Sequence, residues 1–177
     1  MVRGEWLVAS EPRVNVTDHS PAVGFGMGLD AGRMRAQIER VRALAATFDD
    51  FTLLVGAEVD ILKDGSLDYS DELMAELDVV VASLHASHRL SEADQTKRLC
   101  AAMENPHVDV IGHPTGRMLG RREAYPMDME AVIAKAAATG TVLEYMRFGV
   151  MNARRGWATA GDVVNTRSWP QLKKLLK

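Results

Sequence analysis

Cysteine occurs once in the 177 residues, at Cys100. No internal disulfide can form, and a lone thiol in a helical apolar pattern predicts a small core residue in a cytoplasmic chain. A basic excess is also missing. The formal net charge is −3, with Lys and Arg totalling 21 against 24 Asp and Glu, so nothing pulls the chain toward nucleic acid as a whole. Any DNA contact needs a local patch, and Arg117, Arg121 and Arg122 form one candidate. Arg147, Arg154 and Arg155 form another. Both also read as solvated charge. No apolar run approaches the about 20 residues that span a bilayer, and residues 1–13 have no signal-peptide core. No repeat, low-complexity tract or linker divides the chain. With 47% hydrophobic residues, it reads as one globular domain, 1–177, with a sizeable core.

Against these absences stand three short segments, each closing an apolar run. They are Gly56-Ala57-Glu58-Val59-Asp60-Ile61, Ser83-Leu84-His85 and Gly112-His113-Pro114-Thr115-Gly116-Arg117. The runs before them, Phe51 to Val55, Val79 to Ala82 and Val108 to Ile111, are rich in Val, Ile and Leu and predict buried strands. A fourth segment, Arg13 to Ser20, ends in Asp18-His19-Ser20 in the same way. Strand ends are where α/β proteins assemble their sites. Two imidazoles and a carboxylate form a catalytic zinc ligand set with a position open for water. Each histidine alone reads more readily as a hydrogen-bonded structural residue than as a ligand; four such positions in one order make a metal site an equal reading.

Thr17-Asp18-His19-Ser20-Pro21 and the three segments above resemble the motifs of the PHP (polymerase and histidinol phosphatase) domain. The closest likeness is to the C-terminal PHP domain of bacterial family X DNA polymerases. Asp64-Gly65-Ser66-Leu67-Asp68-Tyr69, Glu104-Asn105-Pro106-His107-Val108-Asp109-Val110-Ile111 and Gly149-Val150-Met151-Asn152-Ala153-Arg154-Arg155-Gly156-Trp157 add to it, from about Val14 to Lys177. The resemblance implies an α/β fold of the distorted (β/α)7 TIM-like barrel type, here incomplete. The family's His-x-His strand end has no counterpart before His19, and no Asp-x-His occurs. The domain therefore reads as truncated at its N-terminus, with an internal deletion near 144–146.

The resemblance implies up to three divalent metals, zinc or manganese and potentially magnesium. Carried over, His19 is a ligand of an outer metal, Glu58 bridges two, and His85 and His113 complete the middle site with Glu58. Fewer than three metals are expected here. The implied activity is metal-dependent phosphoester hydrolysis, as a 3′-5′ exonuclease or a phosphatase, weakened by the missing ligands. The alternative is a non-catalytic scaffold with at most one metal. The substrate is a phosphate ester, with a DNA end as one form. No nucleotidyltransferase domain is read in these residues, so polymerase activity is not expected of this chain itself.

Arg117, just past the His-Pro turn, is a candidate phosphate ligand through its planar fork of donors; it also reads as a surface arginine. Asp60, two residues past Glu58 and on the same strand face, is a candidate partner that orients a metal ligand. His88 lines the loop after its strand. Helices are predicted from an Asp30 cap to Thr47, over Asp71–Leu77, from a Ser91 capping box to Glu104, from Asp128 to a Gly140 C-cap, and from Ser168 to the end. A strand is predicted over Thr141–Glu144, and Pro21–Gly28 reads as a mobile loop at the site mouth. About five strands leave two edges exposed, which predicts an open sheet or a homo-oligomer.

Overall fold

The computed structural model describes residues 13–24, 28–49, 52–117 and 121–144. In these residues strands and helices alternate. The order is β1 (Arg13–His19), α1 (Ala31–Ala45), β2 (Thr52–Asp60), α2 (Asp71–Met74), β3 (Val79–Ser83), α3 (Glu92–Ala102), β4 (Val110–Gly112), α4 (Met129–Thr139) and β5 (Val142–Leu143). All pairings are parallel, and the order in the sheet is the order in the chain. Each parallel neighbour requires a crossover, and one helix occupies each. Strands that succeed one another without a reversal of direction across the sheet build an α/β sheet compatible with part of a TIM-like barrel. Among the described residues, β1 and β5 each pair on one side only.

The helices start where short polar side chains can bond free N–H groups. Asp30 accepts from the Arg33 N–H at 2.8 Å, and Asp128 from the Ala131 N–H at 3.0 Å. Ser91 accepts from the Asp94 N–H at 3.1 Å while its hydroxyl donates to the Asp94 carboxylate at 2.7 Å. Gly140 closes α4 with φ 74°, the left-handed conformation favoured by glycine. Val55, Ala57, Val59, Val80, Ala82 and Ile111 form the sheet's contribution to the core, with Met34, Ile38, Leu73, Leu99 and Val132 from the helices. Alternation then places Glu58 on the opposite face, where Leu54, Val79, Val81 and Val110 are half-buried.

Several boundaries differ from the sequence expectation. β2 does not stop at Val55 but continues through the Glu motif to Asp60. Gly56 reads as a strand terminator, yet its lack of a side chain is a packing requirement. A Cβ there would lie 2.6 Å from the Val79 carbonyl oxygen and 2.8 Å from the Asn15 amide. β4 starts at Val110, because Val108 belongs to the preceding turn, its N–H bonded to the Asn105 carbonyl. α1 ends at Ala45, α2 at Met74 and α3 at Ala102, each short of the predicted end. The first half of the expected mobile loop is a 3-10 turn over Pro21–Val23, tied down by the Ala22 N–H donating to Asp68 Oδ2 at 2.7 Å. The final predicted helix, Trp157, Trp169 and the patch of Arg147, Arg154 and Arg155 lie outside the described residues, as does the segment from 145 on that adjoins the inferred deletion. Cys100 is half-buried and packs against the core.

Candidate metal centre

Parallel strands deliver their carboxyl ends to one side of the sheet, and four consecutive strands bring a site residue there. His19 ends β1 and is in register with Glu58 of β2. Asp60 ends β2 opposite Ser83 of β3, two residues before His85. Ser83 in turn faces Gly112 of β4, one residue before His113. The structure thus brings together His19, Glu58, Asp60, His85 and His113.

Glu58 is the centre. Its Oε1 lies 3.2 Å from His85 Nε2 and 3.0 Å from His113 Nε2, and its Oε2 lies 3.7 Å from His19 Nδ1. The His85 ring packs edge-on to His19 at 5.2 Å and tilted against His113 at 5.1 Å, centroid to centroid. Burial opposes ionisation of Glu58. Hydrogen bonds from His113 and His85 and the field of His19 outweigh it, and hold the carboxyl well below the usual carboxylate range. Glu58 is therefore an anion at neutral pH.

His85 is fixed from both sides. Its Nε2 faces Glu58, and its Nδ1 lies 3.2 Å from Asp60 Oδ2. The Asp60 carboxylate is only 1% exposed. Burial of His85 disfavours its charge, but the Asp60 and Glu58 carboxylates prevail and push it up to about 9. Asp60 is itself seated by backbone. Its N–H donates to the Ser20 hydroxyl at 2.9 Å, and the Ser20 N–H donates to the Glu58 carbonyl at 3.0 Å. The Asp-His-Ser-Pro motif thus extends the β1–β2 pairing beyond the strand and holds two carboxylates in place.

The third imidazole stands on a constrained turn. His113 has φ 32°, in the left-handed region, and its N–H donates to Glu144 Oε2 at 3.0 Å. A side chain at Gly112 before it would force its surroundings to shift, since a Cβ would meet Ser83 Oγ at 2.3 Å. Gly116 after it, at φ 54°, packs against the Tyr125 ring. Sequence reasoning gave Glu144 no role. A carboxylate at the end of a predicted strand carries no signal of which N–H it will cap.

The residues suit a metal. Ligand atoms around a tetrahedral ion bound at about 2.0–2.1 Å lie about 3.3 Å apart. His19, Glu58 and His85 each offer one ligand atom, and these atoms all lie within 4.8 Å of one another. The set implied by the resemblance puts His113 with Glu58 and His85 and gives His19 to an outer metal. Here His19 shares the cluster, and His113 bonds the same Glu58 oxygen as His85. Asp60 stands behind His85, the usual relation of a carboxylate to a ligating histidine.

The arginines divide. Arg117 is exposed in the turn after His113, and its backbone N–H donates to Thr115 Oγ1 at 3.5 Å. Arg121 is exposed. Arg122 Cζ stands over the Tyr125 ring, 5.0 Å from its centroid, with Nε donating to the Gly116 carbonyl at 2.7 Å. His88 stacks on Tyr125, with centroids 4.9 Å apart. No helix of the described residues is long and apolar enough to cross a membrane.

No protein-family model matches the chain. Among curated proteins, the DNA polymerase/3′-5′ exonuclease PolX of Bacillus subtilis is 36% identical over 200 residues, covering 92% of this chain and 35% of PolX. A probable phosphatase of Clostridium acetobutylicum is 37% identical over 60% of this chain and 43% of its own length. One of Caldanaerobacter subterraneus is 30% identical over 80% of this chain and 52% of its own length. The chain thus spans about a third of PolX and about half of these phosphatases. The 200 matched residues exceed this chain's own length, so PolX carries stretches with no counterpart here. With its motifs at consecutive parallel strand ends and these relatives, the chain belongs to the PHP family, close to the PHP domain of the family X DNA polymerases.

Proposed function

We propose that this chain is a divalent-metal-dependent phosphoesterase that hydrolyses phosphate esters, a DNA 3′ end or a small monoester. The support is the Glu58 carboxylate ringed by His19, His85 and His113 at the ends of successive strands, together with relatives named as an exonuclease and as phosphatases. A metal would be held by His19, Glu58 and His85, with His113 completing or adjoining the set. Zinc or manganese suits two or three imidazoles and a carboxylate, while magnesium favours oxygen ligands. When bound, such an ion polarises a phosphoryl oxygen and lowers the pKa of water. The chain's own residues do the rest. Glu58 supplies the negative charge, and Asp60 fixes the His85 ring with Nε2 forward. Arg117, four residues past His113 in the chain and exposed, is the candidate to accept a phosphate through two parallel hydrogen bonds.

One described cluster in a family built around up to three metals supports weaker hydrolysis than in the full-length relatives, because removing even one stabilising group costs about a hundredfold or more. The same consideration supports a second reading, a scaffold that keeps one metal without turnover. The missing stretches are in keeping with a deletion near 144–146, and the edges of β1 and β5, each unpaired among the described residues, favour self-association, which light scattering would report as a mass above that of one chain. The discriminating experiment is hydrolysis of p-nitrophenyl phosphate and of a 3′-labelled oligonucleotide with added Mn2+. Turnover that disappears in His85→Ala and in Glu58→Gln supports the phosphoesterase. Metal binding without turnover on either substrate supports the scaffold.

A further inference from the structure

The largest fully buried side chain of the described residues is a cation. Arg98 on α3 is 2% exposed, and among the described residues its guanidinium forms no ion pair. Its donors go to backbone carbonyls instead. Nε donates to Leu62 at 2.7 Å, Nη1 to Ala86 at 3.0 Å and Nη2 to Ile61. Nη1 also donates to the Gln95 side-chain oxygen at 3.3 Å, and Gln95, fully buried, donates from Nε2 to the Ser87 carbonyl at 3.1 Å. These carbonyls belong to two loops. Ile61 and Leu62 follow Asp60, and Ala86 and Ser87 follow His85. One rigid fork therefore ties together the two segments whose side chains meet in the His85–Asp60 hydrogen bond.

Burying a guanidinium is unfavourable unless its donors are all met. Two features fit these loops closely to α3. Ser87 takes φ 57°, a left-handed conformation uncommon for a non-glycine residue, while its carbonyl is held by Gln95. Gly65, at φ 93°, lets the loop after β2 lie against α3, where a Cβ would be 3.0 Å from Ala101 Cβ and 3.1 Å from the Arg98 carbonyl oxygen. Lysine would keep the charge but could not span both loops, because its ammonium is a point and not a fork.

We propose that Arg98 is a positioning residue for the metal centre, fastening the loops of Asp60 and His85 to α3 so that the His85 ring stands ready to ligate. The proposal rests on the metal reading given above. Removing a partner that orients a metal ligand costs about 10- to 100-fold in metal affinity. The test uses the 177-residue chain with Co2+ as probe. Arg98→Ala is expected to bind Co2+ about 10- to 100-fold more weakly at unchanged far-UV circular dichroism and to recover on addition of guanidinium ion, and Arg98→Lys, which can reach only one of the two loops, is expected to bind Co2+ more weakly than the parent as well. In the metal-free protein, the His85 Nδ1–H resonance should lose its protection from exchange in Arg98→Ala and regain it with guanidinium. Equal Co2+ affinity and an unchanged His85 signal in a folded variant would overturn the proposal. So would a loss that guanidinium does not restore, or an Arg98→Lys variant that binds Co2+ as tightly as the parent. Arg98→Lys carries the test if Arg98→Ala does not fold. A parent chain that binds no Co2+ would refute the metal reading instead, and the His85 resonance would still judge Arg98.

Discussion

Replacing Asp60 by Asn changes one proton-accepting oxygen and almost no volume, and its effect can be worked out from the site. In the metal-free chain His85 Nδ1 lies 3.2 Å from Asp60 Oδ2 in a setting only 1% exposed on the Asp60 side. A hydrogen bond to a charged group is worth about 1.5–3 kcal/mol, and about 1.4 kcal/mol is tenfold in an equilibrium. Asp60→Asn should therefore weaken metal binding about 10- to 100-fold once the imidazole is deprotonated, in line with other carboxylate–histidine–metal relays. The pH dependence separates this from simple misfolding. His85 is raised from 6.5 to about 9 in the absence of metal, so at neutral pH an incoming ion must displace its proton. Affinity of the parent should climb by about tenfold per pH unit from neutral pH to about 9 and then level off. A raised histidine pKa stabilises the metal-free fold below 6.5, and that stability is lost as pH rises through about 9. With Asn at position 60 the principal hydrogen bond favouring the imidazolium is weakened, His85 moves down toward its ordinary value, and the climb flattens. Competition against a chromophoric chelator from pH 6 to 10 measures both curves. A parent affinity flat between pH 7 and 9, or a variant curve that overlays the parent's, would refute the reasoning.

Other substitutions test the scaffold of the site. Gly112→Ala drives a methyl to 2.3 Å from Ser83 Oγ and 2.9 Å from Val81 Cγ1, and should cost about 1–3 kcal/mol in urea unfolding; a midpoint unmoved from the parent's would count against the described packing. Ser20→Ala strands the buried Asp60 N–H and should lower stability by about 1–3 kcal/mol, with metal affinity falling alongside; Ser20→Thr, if it fits, should keep both. Asp128→Ala removes the acceptor for the Ala131 N–H at the start of α4 and should cost about 1 kcal/mol while leaving metal affinity unchanged; a lost metal site would mean that α4 reaches the centre by a route other than its cap.

Much of the site is legible because strand ends announce themselves. His19, His85 and His113 each follow a short Val- or Ile-containing run, and the register of four parallel strands converts that linear pattern into one cluster. The helix starts at Asp30, Ser91 and Asp128 are equally visible, since capping is a local matter of a side-chain oxygen and N–H groups two or three residues on. What escapes is decided by tertiary approach. Gly56 looks like the end of a strand, but the glycine is there because Val79 and Asn15 come too close for a side chain. Arg98 looks like one more charge on a helix, and only the folded loops show that its face is interior. Glu144 looks like a strand residue until the His113 turn presents it with an N–H. That His19 meets Glu58 is likewise a matter of register: the two lie opposite one another across β1 and β2, a pairing that spacing along the chain does not encode.

The most direct test of the metal centre is the metal content of freshly purified protein, measured by elemental analysis beside His85→Ala. About one equivalent of zinc or manganese per chain, lost in the variant, is the predicted result. A folded protein that carries no metal and takes up none on titration would contradict the account.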